Sequence, residues 1–145
     1  MKIVVLAVGR VKDRPLREAI DEYAGRVRRY VALDEIEVAD GSPEKLRTAF
    51  EKAARDATTI ALEVSGQAHS SEAFARSIER WGARGKGTIV FCIGGADGLP
   101  LDLSASAHAR ISLSSLTFPH RLARLVLVEQ IYRAMTILRN EPYAH

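Results

Sequence analysis

Thr88-Ile89-Val90-Phe91-Cys92-Ile93 runs directly into Gly94-Gly95-Ala96-Asp97-Gly98. An unbroken apolar and β-branched run closed by glycine reads as a strand buried on both faces; a strand with one wet face would alternate. Such a strand belongs at the centre of a parallel sheet with helices on both sides. The sequence on either side agrees. Before it, a helix begins near Ser70 or Ser71, carries Phe74, Ile78 and Trp81 inward, and is ended by Gly82, Gly85 and Gly87. Further back, Thr58–Val64 is another strand, and Ser42-Pro43 opens a helix with Leu46, Phe50 and Ala53 on its inner face. In Glu35-Ile36-Glu37-Val38 the acids alternate with apolar residues, which predicts a half-exposed edge strand whose outward charges discourage pairing with other chains. Asp13 and Pro15 open a helix on which Leu16, Ile20, Tyr23, Val27 and Tyr30 form one stripe, and Lys2–Val8 is a short buried strand. After the glycine loop come a short helix around Leu101–Ala109, a strand Arg110–Ser114, and a long helix from Pro119 to Leu138. The alternation predicts an α/β fold: a parallel sheet with helices on both faces, built as a single domain over residues 1–145.

Composition bounds the possibilities. With 47% hydrophobic and 27% charged residues the chain is neither disordered nor fibrous. The single cysteine, Cys92, excludes an intramolecular disulfide and a cysteine-rich zinc site, and His69 and His108 have no partners at ligand spacing, so no metal is expected. The opening apolar run Ile3–Gly9 meets Arg10, Lys12 and Arg14 at once, and no later run is long enough to span a membrane; the chain is expected in the cytosol. Residues 1–30 hold 8 Lys/Arg against 4 Asp/Glu and residues 118–145 hold 4 against 2, so a fold that joins the two ends would make a phosphate-binding patch. The plain alternative is a solvated helix face.

Ligands of parallel sheets bind beyond the C-terminal ends of the strands. That rule selects the loops at Gly9-Arg10, Ser65-Gly66, Gly94–Gly98 and Ser114–His120. Gly94-Gly95-x-x-Gly98 is either a tight turn or a loop that lets a ligand lie on bare backbone. In the second case a side chain at Gly94 should block the ligand and leave the fold intact. The loop is no dinucleotide fingerprint, because it follows the wrong strand and no acid ends the next one. There is no P-loop and no G-x-S-x-G elbow. In Ser112–His120 the hydroxyls either recognise an anion or polar base edge, or Ser115 or Thr117 caps the following helix. That last helix is apolar on more than one face, through Leu122, Leu125, Val126, Leu127, Val128, Ile131, Ala134, Met135, Ile137 and Leu138. It is expected to pack on its own sheet and on a second copy, with Leu127 or Ile131 as candidate partner-facing positions. Glu129 and Arg133, spaced i,i+4 on it, can form an ordinary surface ion pair.

Three motifs in order, Phe91–Leu99, Ser112–His120 and Val128-Glu129-Gln130-Ile131-Tyr132-Arg133-Ala134, with Pro142-Tyr143 at the end, resemble the large-subunit ribosomal RNA pseudouridine N3-methyltransferase family, a small branch of the SPOUT class. The likeness runs the length of the chain. It implies a C-terminal trefoil knot, a homodimer, and S-adenosyl-L-methionine bound in the knot by Leu62, by Gly94, Gly95 and Gly98, and by Leu113, Ser114, Ser115, Leu116, Thr117 and Phe118. It implies large-subunit rRNA in the assembled ribosome as the partner. Arg10, Arg14 and His120 are then the candidate RNA contacts, and His145, Tyr143 and Glu129 the candidate proton acceptors, with Arg133 stabilising the anion. The family tail reads Pro-Tyr-His followed by a basic residue, whereas this chain ends Pro142-Tyr143-Ala144-His145. The alternatives are an RNA- or ribosome-binding protein of the same fold with weak or no catalysis, and a SPOUT enzyme with another RNA target.

Overall fold

A computed structural model describes residues 1–143. The elements run β1 (Lys2–Val8), α1 (Arg14–Val27), β2 (Ala32–Val38), α2 (Pro43–Ala53), β3 (Thr58–Ala68), α3 (Ser71–Gly82), β4 (Thr88–Ile93), α4 (Leu101–Ser106), β5 (Ala109–Ser112) and α5 (His120–Leu138). The strands form one sheet in the order β2-β1-β4-β3-β5, and every pairing is parallel. As the apolar run predicts, β4 lies in the middle, with Phe91 opposite Val5 on one side and Ile60 on the other.

Both faces of the sheet are covered. Ile3, Val5 and Phe91 face the side where α1, α3 and α5 pack, against Ile20, Ile78, Leu127 and Ile131. Val4, Leu6, Val90 and Cys92 face the other side, against Leu46 and Phe50 of α2. Local chemistry starts the helices where the sequence places them. The side chains of Asp13, Ser42 and Ser70 accept hydrogen bonds from the amides of Leu16, Lys45 and Ala73, each such cap contributing about 1 kcal/mol. Among the described residues no helix is long and apolar enough to cross a membrane.

Three expectations need correcting. First, β3 does not stop at Val64; it continues to Ala68, with a shift in register between Leu62 and Gln67 where it pairs with β5. Gly66 makes this return possible, because a Cβ there would lie 2.6 Å from the Ile111 carbonyl carbon. Second, α4 ends at Ser106 and the following strand at Ser112. Third, β2 is an edge strand, but Glu35 and Glu37 are not outward deterrents. Half-buried Glu35 pairs with Arg17, and Glu37, still open to solvent, pairs with Arg124, so the acids of this strand are tied down by arginines from α1 and α5.

Candidate functional site

The C-terminal ends of β3, β4 and β5 open on the same side, as the parallel order requires. The glycine loop leaves β4, residues 63–66 swing out of β3, and residues 113–119 return from β5 to α5. These segments enclose a cleft of about 680 Å3, in the size range of small-ligand sites. It is lined by Leu62, Gly94, Gly95 and Gly98, by Leu113, Ser114, Leu116, Thr117 and Phe118, and by His120. Nine of the ten expected cofactor contacts therefore meet here. Ser115 is exposed and lies outside the lining.

Two open alternatives are now decided. Neither Ser115 nor Thr117 caps α5, whose N-cap position is Pro119 without a side-chain cap. The hydroxyls instead shape the loop: Ser112 donates to the Ser114 carbonyl at 2.8 Å, and Ser114 accepts from the Leu116 amide at 2.9 Å. The glycine loop is both a tight turn and a cleft wall. Gly95 and Gly98 bridge, with the Gly98 amide donating to the Gly95 carbonyl at 3.0 Å. A Cβ on Gly94 would lie 2.3 Å from the Gly98 carbonyl carbon, so the bare Cα of Gly94 serves the turn itself. The expectation that a side chain there would leave the fold intact is overturned. At Gly98, with φ +76°, nothing lies within 4 Å of the would-be Cβ, and this backbone is open to a ligand.

The other candidates form a separate group. Tyr143 donates from its hydroxyl to Glu129 at 2.7 Å, and Arg133 donates to the same carboxylate oxygen at 2.9 Å. The Arg133 guanidinium stacks 4.1 Å from the centre of the Tyr143 ring. This is a half-buried triad, not a surface ion pair. Burial, then the hydrogen bonds to Glu129 and Tyr23, push the Tyr143 phenol well above its ordinary range. None of the three lines the cleft; Glu129 stands six residues, about 9 Å of helix, beyond Ala123 at its edge. His145 lies outside the described residues.

Of the candidate RNA contacts, Arg10 is exposed, and Arg14 is exposed but paired with Glu18 at 3.1 Å. His120 sits at the head of α5 beside Gly9. Much of the basic excess at the chain ends is internally neutralised. Arg17 pairs with Asp21 and Glu35, and Arg124 with Glu37. Burial pulls the Arg17 guanidinium down, but its hydrogen bonds to Glu35 and Asp21 outweigh that and raise it. Arg124 is the residue that sequence reasoning missed. Its signal was present: it falls on the inward stripe of α5 with Leu127, Val128 and Ile131, where a charge must have a buried partner.

A second cavity of about 540 Å3 lies across the glycine loop, floored by Leu46 and Leu99 and rimmed by Asp40, Glu44, Asp97 and Asp102. Its acids make it a poor seat for phosphate. Among the described residues no cluster of three His, Cys, Asp or Glu could hold a metal ion.

The family described as predicted SPOUT methyltransferase matches residues 1–145. A protein of Sorangium cellulosum (strain So ce56) named ribosomal RNA large subunit methyltransferase H is 66% identical over 145 residues, covering all of both chains. A protein of the same name from Shouchella clausii (strain KSM-K16) is 41% identical over 157 aligned positions, covering 99% of each. Among solved structures, a probable methylase family protein from Haemophilus influenzae Rd KW20 superposes with a TM-score of 0.60 at 11% identity, over 99% of this chain and 70% of that one. TrmJ from Z. mobilis ZM4 does so with a TM-score of 0.51 at 13% identity, over 92% and 68%. At such identities the structural likeness speaks to the fold alone.

Proposed function

The chain belongs to the SPOUT methyltransferase family, and from that premise we propose that it methylates large-subunit ribosomal RNA, at N3 of a pseudouridine, with S-adenosyl-L-methionine as methyl donor. The observation that carries this reading is the cleft. Its open glycine backbone and apolar walls of Leu62, Leu113, Leu116 and Phe118 suit an adenosine-sized ligand held by main-chain groups and van der Waals contact. Bound there, the cofactor supplies a sulfonium methyl group as electrophile. The rest falls to this chain. An imide nitrogen becomes nucleophilic only as it gives up its proton, so the protein must hold N3 in line with the methyl group and take that proton. Ser114 and Thr117 offer hydroxyls at the cleft wall to orient the base.

The proposal includes a homodimer. After α5 has covered its own sheet, Leu122 and Ile137 remain exposed and Leu125 and Val126 half-exposed. In the antiparallel form of such a two-fold pairing, which this reading adopts, the N-terminal part of one copy's helix lies beside the C-terminal part of the other's. One copy's Glu129, Arg133 and Tyr143 would then face the cleft of its neighbour. In that setting Tyr143 is a hydrogen-bond donor, since its raised phenol keeps its proton. Proton acceptance falls to Glu129 or His145. Arg10, Arg14 and His120 hold RNA. The trefoil threading and a cytoplasmic address, where ribosomes are assembled, belong to the same reading.

Mass mapping of ribosomal RNA from cells with and without the gene tests the reading. The expected result is one methylated pseudouridine, in the large-subunit RNA, that disappears with the gene. An unchanged map, together with intact cofactor binding by calorimetry, would favour the RNA-binding alternative. Activity of His145→Ala on ribosomes equal to wild type would leave Glu129 as the acceptor.

A further inference from the structure

We infer that Arg124 is a positioning residue: from inside the protein it fixes the Gly9-Arg10 turn beside the cleft, and RNA affinity depends on it although it touches no substrate. The inference rests on the function proposed above. Arg124 is 1% exposed. Desolvating a guanidinium costs several kcal/mol, and an apolar residue of similar size often gives equal or greater stability. Stability alone is therefore a weak account of a charge at this place in α5.

The contacts indicate what the charge holds. One terminal nitrogen of Arg124 donates to Glu37 at 2.6 Å and lies 3.5 Å from Glu35; the other donates to the Gly9 carbonyl at 3.1 Å. Gly9 is the turn residue of this loop, with φ +83°, and its amide donates to the Val38 carbonyl at 2.8 Å. The turn is thus gripped at its N–H by the end of β2 and at its C=O by α5. Arg17, bonded to Glu35, balances the second acid. Next along the chain, Arg10 is exposed while Val11 is 7% exposed and Asp13 caps α1. Arg10 therefore projects from between two anchored residues, and one anchor is the hydrogen bond from Arg124. His120, which lines the cleft, lies 3.8 Å from where a Gly9 Cβ would be, so the turn and the cleft are neighbours. Arg124 itself is not part of the cleft wall.

The test is a double-mutant cycle on the full-length enzyme with large-subunit particles as substrate. Arg124→Met and Arg10→Gln should each raise KM for the particles about fivefold and make the salt dependence of binding about one unit shallower. Cofactor Kd and kcat should stay within about twofold of wild type. In the Arg10→Gln background, Arg124→Met should add nothing. Multiplying effects in the double variant would overturn the inference, as would a cofactor Kd that rises along with KM, the mark of general damage. If Arg124→Met does not fold, Glu37→Gln replaces it under the same criteria, because Glu37 is near the surface and the change is isosteric. A wild type inert towards every ribosomal substrate removes the proposed function and this inference together. A wild type that methylates while the cycle is multiplicative overturns the inference alone.

Discussion

At the scale of single residues, Gly94 and Leu62 separate the cleft from the turn that builds it. Because a Cβ at Gly94 would enter the backbone of Gly98, Gly94→Val should lower the melting temperature and abolish cofactor binding together. Leu62 is a half-buried side chain on the cleft wall. Leu62→Trp should fill the cleft and abolish binding with a melting temperature near that of wild type; calorimetry and a thermal melt on the two variants check both statements. Cys92 gives a pH prediction. Burial on β4 pushes its thiol from 9.0 up to about 12. Below pH 9 the thiol is protonated in the folded and unfolded states alike. Above that the unfolded state loses the proton first, so stability falls with rising pH at up to about 1.4 kcal/mol per unit until the folded thiol also ionises. Cys92→Ala should remove that part of the slope in urea titrations between pH 8 and about 11, and native Cys92 should resist thiol reagents at neutral pH.

Among the elements, α5 shows how far a pattern can be read. Its excess of apolar positions was legible, and so was the conclusion that it has more than one apolar face to cover. Which face meets what was not legible. Leu127 and Ile131, candidates for a partner contact, are 0% exposed inside their own chain. Leu127→Asp should therefore unfold the protein, because it buries an unpaired charge, and Leu127→Ala should cost about 2–5 kcal/mol. Leu122→Asp, at an exposed position, should leave the melt of the separate chain intact and shift a dimer to monomer in light scattering. The strands were legible for the opposite reason. In β4 every residue after Thr88 is apolar, so burial on both faces needed no further information. β2 misled in part because a period of two says that its faces differ, not what each face meets; only the position of Arg17 and Arg124 across the chain shows that Glu35 and Glu37 are paired with arginines. The Gly94–Gly98 and Ser112–His120 loops could be located by the strand-end rule, but the extension of β3 past Gly66 could not, since it depends on contact with Ile111 far along the chain.

For the whole molecule, the separation of the cleft from the Glu129-Arg133-Tyr143 triad sets the main prediction. If each site takes its cleft from one copy and its triad from the other, Leu62→Trp and Arg133→Ala chains should each be inactive alone. Mixed after partial unfolding and refolding, they should recover about a quarter of wild-type methyl transfer, because half the dimers are then mixed and each of those has one complete site. No recovery, with mixed dimers verified by mass, would assign each site to one chain. The sheet order carries a consequence of another kind, for how the protein reaches this structure. β1 pairs with β4, Lys2 opposite Thr88, and no two neighbouring strands are joined by a hairpin. The central strand therefore finds its place only after a long loop has closed, which makes folding slow for a chain of this size. During synthesis β1 and β2 emerge early, with one side of β1 unpaired until β4 appears. The glycine loop and α5 come later still, so ligand-binding capacity should appear last in a refolding time course, after most of the helical signal has returned.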